Sequence, residues 1–232
     1  MKLRAKQSLL LGIPIALGLV VLTIVVLYQS QTSLTKLYVQ ASEQIAQARA
    51  DEVSRWLAGK LESVKRGAVN SDVASLDQQA ILKYLATRGK SLDPEVELEF
   101  FARPSGDYWT TLGASGNIAD RDYFKAIIEG GAQSYVGNAV ISKSTGKAII
   151  NAAAVVKGPD GKLGGLYAAS IGLDALSALA SRVKLSDNSY AVIVDGNFLL
   201  IAHPSEAVRM KVSFKEPSKL GYKGLEPGIA KI

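Results

Sequence analysis

The sequence of 232 residues contains no cysteine and a single histidine, His203. The absence of cysteine excludes disulfide bonds and cysteine-bound zinc. A Ser-His-Asp triad or a histidine-rich zinc site would need His203, whose Ala-His-Pro context after a strand is typical of a structural position. No G-x-S-x-G segment occurs, and Gly89–Ser91 has Tyr84 where a phosphate-binding loop needs its first glycine. We therefore expect no enzymatic activity, no metal site and no cofactor.

The excess of positive charge is small once the N-terminus is set aside. The 27 Lys and Arg against 21 Asp and Glu give a net charge of +6, and Lys2, Arg4 and Lys6 supply three of those positives. The remaining 24 against 21 leave +3, spread along the chain. No basic stripe interleaved with aromatic residues occurs, so a nucleic-acid partner is not expected.

A long uncharged run follows the basic N-terminus. Leu9–Leu27 carries no charged residue over 19 positions, which as a helix would span about 28 Å, close to the hydrocarbon core of a bilayer. The run predicts a single transmembrane anchor over residues 9–28, with residues 1–8 as a cytoplasmic basic tail. A cleaved signal peptide is the alternative, but the run is longer than usual and no A-x-A site follows Tyr28. A buried core helix fits poorly, because the run is apolar all round.

Helical periodicity continues beyond the anchor, over residues 32–68. Apolar residues recur at spacings of three and four, with one phase slip near Ala50: Leu34, Tyr38, Ala41, Ile45, Ala48, Val53, Leu57, Leu61 and Val64. One interpretation is a stalk that pairs with a second copy as a homodimer and carries a signal. The other is that this face covers its own domain, and the two are compatible.

The rest of the chain predicts helices followed by antiparallel strands. A helix is expected over Ser71–Arg88, a hairpin over Glu95–Ala102 and Tyr108–Leu112, and a short helix over Arg121–Glu129 with Asp120 as its N-cap. Further hairpins join three segments, which are Ser134–Ser142, Ala148–Val156 and Leu163–Ile171. A helix over Leu173–Val183 and a last hairpin over Ser189–Val194 and Phe198–Ala202 follow. This order indicates an α+β domain whose antiparallel sheet has a concave face under the loop 113–131.

Several segments, in this order and spacing, resemble the double Cache family. They are Asp120–Ala126, Ser134–Gly137, Ile141–Lys147, Gly158–Gly165, Ile171–Leu176, Val192–Asn197 and Ala202–Pro204. No single segment is decisive, and the resemblance covers roughly residues 33–204.

The resemblance implies a periplasmic or extracellular sensor built from two PAS-like subdomains on a bacterial inner-membrane receptor. Residues 69–184 correspond to the membrane-distal subdomain, and residues 185–232 to the beginning of a membrane-proximal one, with too few residues after Pro204 to complete it. The expected function is ligand sensing and transmembrane signalling by a chemoreceptor. A histidine kinase or diguanylate cyclase sensor, or a membrane-anchored structural or adhesion module, are the alternatives.

The resemblance also supplies candidate ligand-binding residues. Arg121, Tyr123 and Phe124 match a family segment that lines the distal pocket, where amino-acid-binding members have Arg-x-Trp-Tyr. A guanidinium fork suits a carboxylate, and aromatic walls exclude water from that contact. Since Tyr108 and Trp109 alternate on a strand, only one is expected to face the pocket.

Ser170 and Asn138 align with the positions of two aspartates that hold the ligand ammonium in amino-acid-binding members. An ammonium buried without an anionic partner is costly, so we expect a small carboxylate or other metabolite rather than an α-amino acid. The alternative for Arg121 is a surface salt bridge with Asp120 or Asp122. Of Tyr123 and Phe124, one is expected in the pocket and the other in the core.

Overall fold

The computed structural model describes residues 2–182 and 190–215, with side chains from Ile13 onward. The described chain falls into two units that divide between Ala50 and Asp51. The first unit consists of helix, and the second contains the end of that helix and all the strands.

The N-terminal helix α1 runs without interruption over Lys2–Ala68, so the predicted anchor and stalk form one element. Pro14 lies inside it, near the N-terminal end, and the helix continues on both sides. The part over Ile13–Ala68 is long and apolar enough to cross a membrane, with a mean hydropathy of 2.2 in its most apolar window. Its aliphatic side chains up to Leu27 are exposed, as a lipid-facing helix requires.

Short helices and strands follow α1. The helices are α2 (Ser71–Ala74), α3 (Gln78–Arg88), α4 (Asp122–Phe124) and α5 (Leu173–Ser181). The strands are β1 (Val96–Ala102), β2 (Asp107–Thr110), β3 (Ser115–Asn117), β4 (Ser134–Val136), β5 (Val140–Ile141), β6 (Ala148–Lys157), β7 (Leu163–Gly172), β8 (Ile193–Val194) and β9 (Leu200–Ala202). A 3₁₀ turn over Gly89–Ser91 follows α3, and a π-helical turn over Lys125–Glu129 follows α4.

The main sheet is antiparallel throughout, in the order β3-β2-β1-β7-β6-β4, with β5 also paired to β6. The long strands β6 and β7 form its centre and keep their register from Ile149↔Gly172 to Val156↔Gly165. Strands β8 and β9 form a separate two-stranded sheet. These findings confirm the predicted α+β domain with an antiparallel sheet.

Both faces of the main sheet are covered, so the central strands are buried almost continuously rather than alternately. One face, with Phe101, Tyr167 and Ile171, packs against α3 and the last four turns of α1. The other face, with Phe100 and Ala168, packs against the segment that carries α4 and the π-helical turn. The candidate site lies on this second face.

Several predicted boundaries were wrong for local reasons. The helix expected over Ser71–Arg88 is broken, because Leu76 has a φ of 59° and Asp77 caps a new helix by accepting from Ala80 N. Asp120 is not an N-cap, since the cap position belongs to Arg121 and the helix there passes into a π-helical turn. The segment Ser134–Ser142 is not one strand but two, β4 and β5. Strand β3 was not predicted, and Ser189 of the last hairpin lies outside the described residues.

Candidate ligand-binding site

A small cavity of about 20 Å³, open to solvent, lies between the sheet and the loop segments on its second face. Its floor comes from β1, β6 and β7, and its walls from the α4 segment and from β5 with the turn after it. The lining residues are Leu98, Phe100, Tyr108, Ile118, Arg121, Tyr123, Val140, Ser142, Lys143, Ser144, Ile149, Asn151 and Ser170. The cavity thus contains four of the predicted residues: Tyr108, Arg121, Tyr123 and Ser170.

Arg121 stands at the start of α4 in an extended conformation, with φ −79° and ψ 145°. Its side chain is half-buried, and Nη2 donates to the carbonyl oxygen of Ile141 at 2.9 Å. Within residues 13–182 and 190–215 it forms no salt bridge. Its guanidinium is therefore held beside the cavity with no carboxylate of the described chain within salt-bridge distance.

The two neighbouring aspartates are engaged elsewhere. Asp120 accepts from Lys143 Nζ at 2.7 Å, and this hydrogen bond lowers the pKa of Asp120. Asp122 accepts from the backbone N–H of Asn138 at 2.8 Å and from its side-chain amide at 3.1 Å. Neither forms a salt bridge with Arg121 in the described chain.

Aromatic rings form one wall of the cavity. Phe100 meets Tyr108 and Tyr123 edge to face, with ring centroids 5.8 Å and 6.2 Å apart. The Tyr108 hydroxyl lies 3.0 Å from Ser144 Oγ, which ties this wall to the turn that follows β5. Burial raises the pKa of Tyr123 well above its ordinary value, so its hydroxyl stays neutral. The wall is therefore uncharged.

The floor carries a polar pair, Ser170 and Asn151, which are direct cross-strand partners on β7 and β6. Ser170 Oγ donates to Asn151 Oδ1 at 2.7 Å, and both residues are nearly inaccessible to solvent. Sequence reasoning missed Asn151, although it is the only polar residue in the apolar run of β6, Ala148–Val156. Among the described lining residues none is acidic.

Three predicted residues do not line this cavity. Trp109 lies on the first face of the sheet, where Arg103 stacks 4.9 Å from its ring centroid. Phe124 is buried in the core beside Tyr123, so of that pair it is Tyr123 that reaches the cavity. Asn138 lines a different cavity, near the turn between β8 and β9.

The first face of the sheet holds a buried ion pair behind this site. Glu99 accepts two hydrogen bonds from Arg88, at 2.7 Å and 2.9 Å, and one from the Tyr167 hydroxyl at 2.6 Å. The pKa of Arg88 is raised by its hydrogen bonds to Glu99. The pair joins α3 to β1 and β7.

The family model described as Cache domain (dCache_1) matches residues 30–230 of the chain. The chain belongs to the Cache family. Membership confirms the resemblance carried by the seven segments between Asp120 and Pro204. No curated protein matches this Cache chain in sequence.

Solved ligand-binding domains of bacterial chemoreceptors share the Cache fold. The domain of Pseudomonas fluorescens CtaA in complex with L-serine is 23% identical with a TM-score of 0.61, and the match covers 74% of each chain. PctB of Pseudomonas aeruginosa in complex with L-Gln is 15% identical with a TM-score of 0.58, over 73% of this chain and 69% of that one. PctC of the same organism in complex with GABA is 18% identical with a TM-score of 0.57, over 73% and 77%. The fold is thus that of these chemoreceptor ligand-binding domains.

Proposed function

We propose that this Cache chain is the extracytoplasmic ligand-sensing region of a bacterial transmembrane chemoreceptor and that its ligand is a small carboxylate. The shared fold with chemoreceptor ligand-binding domains supports the chemotactic role. The single observation that carries the ligand class is Arg121, a guanidinium without a salt bridge in the described chain, beside a cavity whose described lining has no carboxylate.

The charge balance of the cavity favours an anion over a zwitterion. Lys143 also lines it, but its charge is offset by a salt bridge with Asp120, whereas Arg121 forms no salt bridge in the described chain. A carboxylate placed on Arg121 gains charge-assisted hydrogen bonds in a site that aromatic rings shield from water. An α-amino acid would bring an ammonium group that finds no anionic partner on the described lining, and desolvating it is costly. The amino acids bound by CtaA and PctB are thus not the ligands that we propose here.

Membrane attachment and dimer formation complete the proposal. Residues 9–28 anchor the chain in the inner membrane as a single span, residues 32–68 pair with those of a second copy, and residues 69–184 form the membrane-distal sensor. Residues 185–232 are then the beginning of the membrane-proximal subdomain. The length and hydropathy of α1 support the anchor.

A thermal-shift screen of the full chain in detergent tests the ligand class. The panel contains mono- and dicarboxylates, amino acids and amines. A true ligand at 100 times its Kd adds about 2.7 kcal/mol to stability, which raises Tm by several degrees. We expect this shift with carboxylates and the loss of most of it in Arg121→Ala, since a hydrogen bond to a charged group contributes about 1.5–3 kcal/mol.

The matched control is Arg182→Ala, which removes an exposed arginine at the end of α5. It should leave the shift unchanged, whereas Arg121→Lys should retain only part of it because an ammonium lacks the planar fork. A shift with amino acids alone would refute the carboxylate class but keep the sensor. No shift with any compound would refute small-molecule sensing.

A further inference from the structure

Asn151 is an unusual residue for its position. It lies in the middle of β6, between Ile150 and Ala152, with only 2% of its surface exposed. Burying a carboxamide costs free energy unless its donors and acceptor find partners. An apolar residue at this position would fill the same space without this cost. Packing alone therefore does not explain the carboxamide.

The protein satisfies only one end of this carboxamide. Asn151 Oδ1 accepts from Ser170 Oγ at 2.7 Å, whereas over residues 13–182 and 190–215 Nδ2 donates to no protein atom. In the same part of the chain no fully buried side-chain nitrogen or oxygen lacks a hydrogen-bond partner, so Nδ2 must be open to the cavity that Asn151 lines. Its two N–H donors are therefore available to whatever occupies the cavity.

We propose that Asn151 is the specificity-determining residue of this cavity and that the ligand is a small hydroxy or oxo acid. The inference rests on the carboxylate function proposed above and adds a second polar group to the ligand. Arg121 takes the carboxylate, and Asn151 Nδ2 donates to the hydroxyl or oxo oxygen. An ammonium group offers only donors, so it meets the donors of Asn151 unfavourably.

The geometry of the cavity floor fixes the orientation of the Asn151 carboxamide. Asn151 and Ser170 are directly opposite on adjacent strands, and the hydroxyl of Ser170 donates a hydrogen bond to the carboxamide oxygen of Asn151. The amide is thus oriented with its nitrogen toward the ligand before binding, which reduces the entropy cost of association. Leu98 and Ile149 supply the apolar floor on either side, and the cavity, with a volume of about 20 Å³ and an opening to solvent, limits the ligand to a small acid.

Four three-carbon acids test the inference, because they differ only in the group beside the carboxylate: propionate, lactate, pyruvate and L-alanine. Their affinities are measured by isothermal titration calorimetry on the full chain in lipid nanodiscs. Lactate or pyruvate should bind about two- to tenfold more tightly than propionate and L-alanine, since one satisfied hydrogen bond contributes about that factor.

Two variants locate the effect. Asn151→Leu has a similar volume and should abolish the preference for lactate or pyruvate while propionate still binds. Asn151→Asp keeps the hydrogen bond from Ser170 but turns the donor into a carboxylate, so it should shift the preference at least tenfold toward L-alanine. Circular dichroism establishes that each variant is folded, and if Asn151→Leu is not, Asn151→Asp decides.

The outcomes separate this inference from the proposed function. Equal binding of propionate and lactate, both lost in Arg121→Ala, overturns the role of Asn151 and keeps the carboxylate sensor. Tightest binding of L-alanine by the unmodified chain overturns both. If none of the four acids binds, the hydroxy-acid inference is overturned, while binding of larger carboxylates in the same assay keeps the proposed function.

Discussion

Gly67 of α1 lies directly against the ring of Tyr167 on β7. A Cβ atom added at Gly67 would come within 2.7 Å of Tyr167 Cδ1, closer than carbon atoms approach each other. Tyr167 cannot yield easily, because it is fully buried and its hydroxyl donates to Glu99 at 2.6 Å. The end of α1 is thus fixed to the strand that also carries Ser170, on the opposite face of the sheet.

The first prediction follows from this contact. Gly67→Ala should lower the free energy of unfolding by about 1–2 kcal/mol, since overpacking costs about 1–3 kcal/mol and the gain in helix propensity offsets at most about 1 kcal/mol. Gly59→Ala is the matched control, because nothing lies within 4 Å of its added Cβ and it should stabilise the helix. Thermal unfolding followed by circular dichroism measures both. Equal effects of the two substitutions would contradict the contact.

The second prediction concerns the buried ion pair. Arg88→Met should destabilise the protein by about 3–5 kcal/mol, because Glu99, with 3% of its surface exposed, would be left as an uncompensated buried charge. The double variant Arg88→Met with Glu99→Leu should recover much of this loss. Urea unfolding gives the coupling energy through a double-mutant cycle. Additive losses would show that the charges do not depend on each other.

The third prediction is a dependence of stability on pH. Lys60 lies on α1, and its Nζ is 2.7 Å from Asp93 Oδ2 and 2.6 Å from Glu95 Oε2. The hydrogen bonds from Lys60 lower the pKa of both carboxyl groups. Because the folded pKa values are below the unfolded ones, this stabilisation is present above about pH 5 and is lost as the pH falls through the lowered values. Lys60→Met should therefore flatten the decline of Tm between about pH 5 and pH 3. Lys162→Met, which removes an exposed lysine, is the control and should keep the normal decline.

The sequence predicts the fold better than the site, for physical reasons. The strands β6 and β7 are long apolar runs separated by a glycine turn, and that local pattern is sufficient to pair them. The break at Leu76 was not predictable, since a leucine with positive φ is held by tertiary packing rather than by its own preference. Arg121 was identified because it matches a segment of the Cache family, and such a match depends only on the order of residues along the chain.

The register of pairing determines the rest of the site. Trp109 and Tyr108 were equivalent candidates until the pairing Ala102↔Tyr108 placed Tyr108 on the cavity face. Asn151 reaches the cavity because it is opposite Ser170, a relation that depends on the turn between β6 and β7 and on how many residues each strand contributes. A polar residue inside an apolar strand is the signal in the sequence that marks it.

The last prediction tests the proposed dimer through α1. Leu34, Leu37, Tyr38 and Ile45 are exposed large apolar residues in the first unit, where a polar surface would be expected of a solvated helix. The chain has no cysteine, so single cysteines can be introduced into an otherwise unreactive background. A cysteine at Tyr38 should form an intermolecular disulfide under mild oxidation in membranes, because paired helices bring such positions within the Cα separation of about 4.4–6.8 Å that a disulfide requires.

The matched control is a cysteine at Lys36, two residues before Tyr38 on α1 and about 200° around the helix from it, which should stay monomeric. Gel electrophoresis without reducing agent counts the linked species. Cross-linking at both positions to the same extent would indicate random collision in the membrane. Cross-linking at neither position would contradict the proposed pairing through this face of α1.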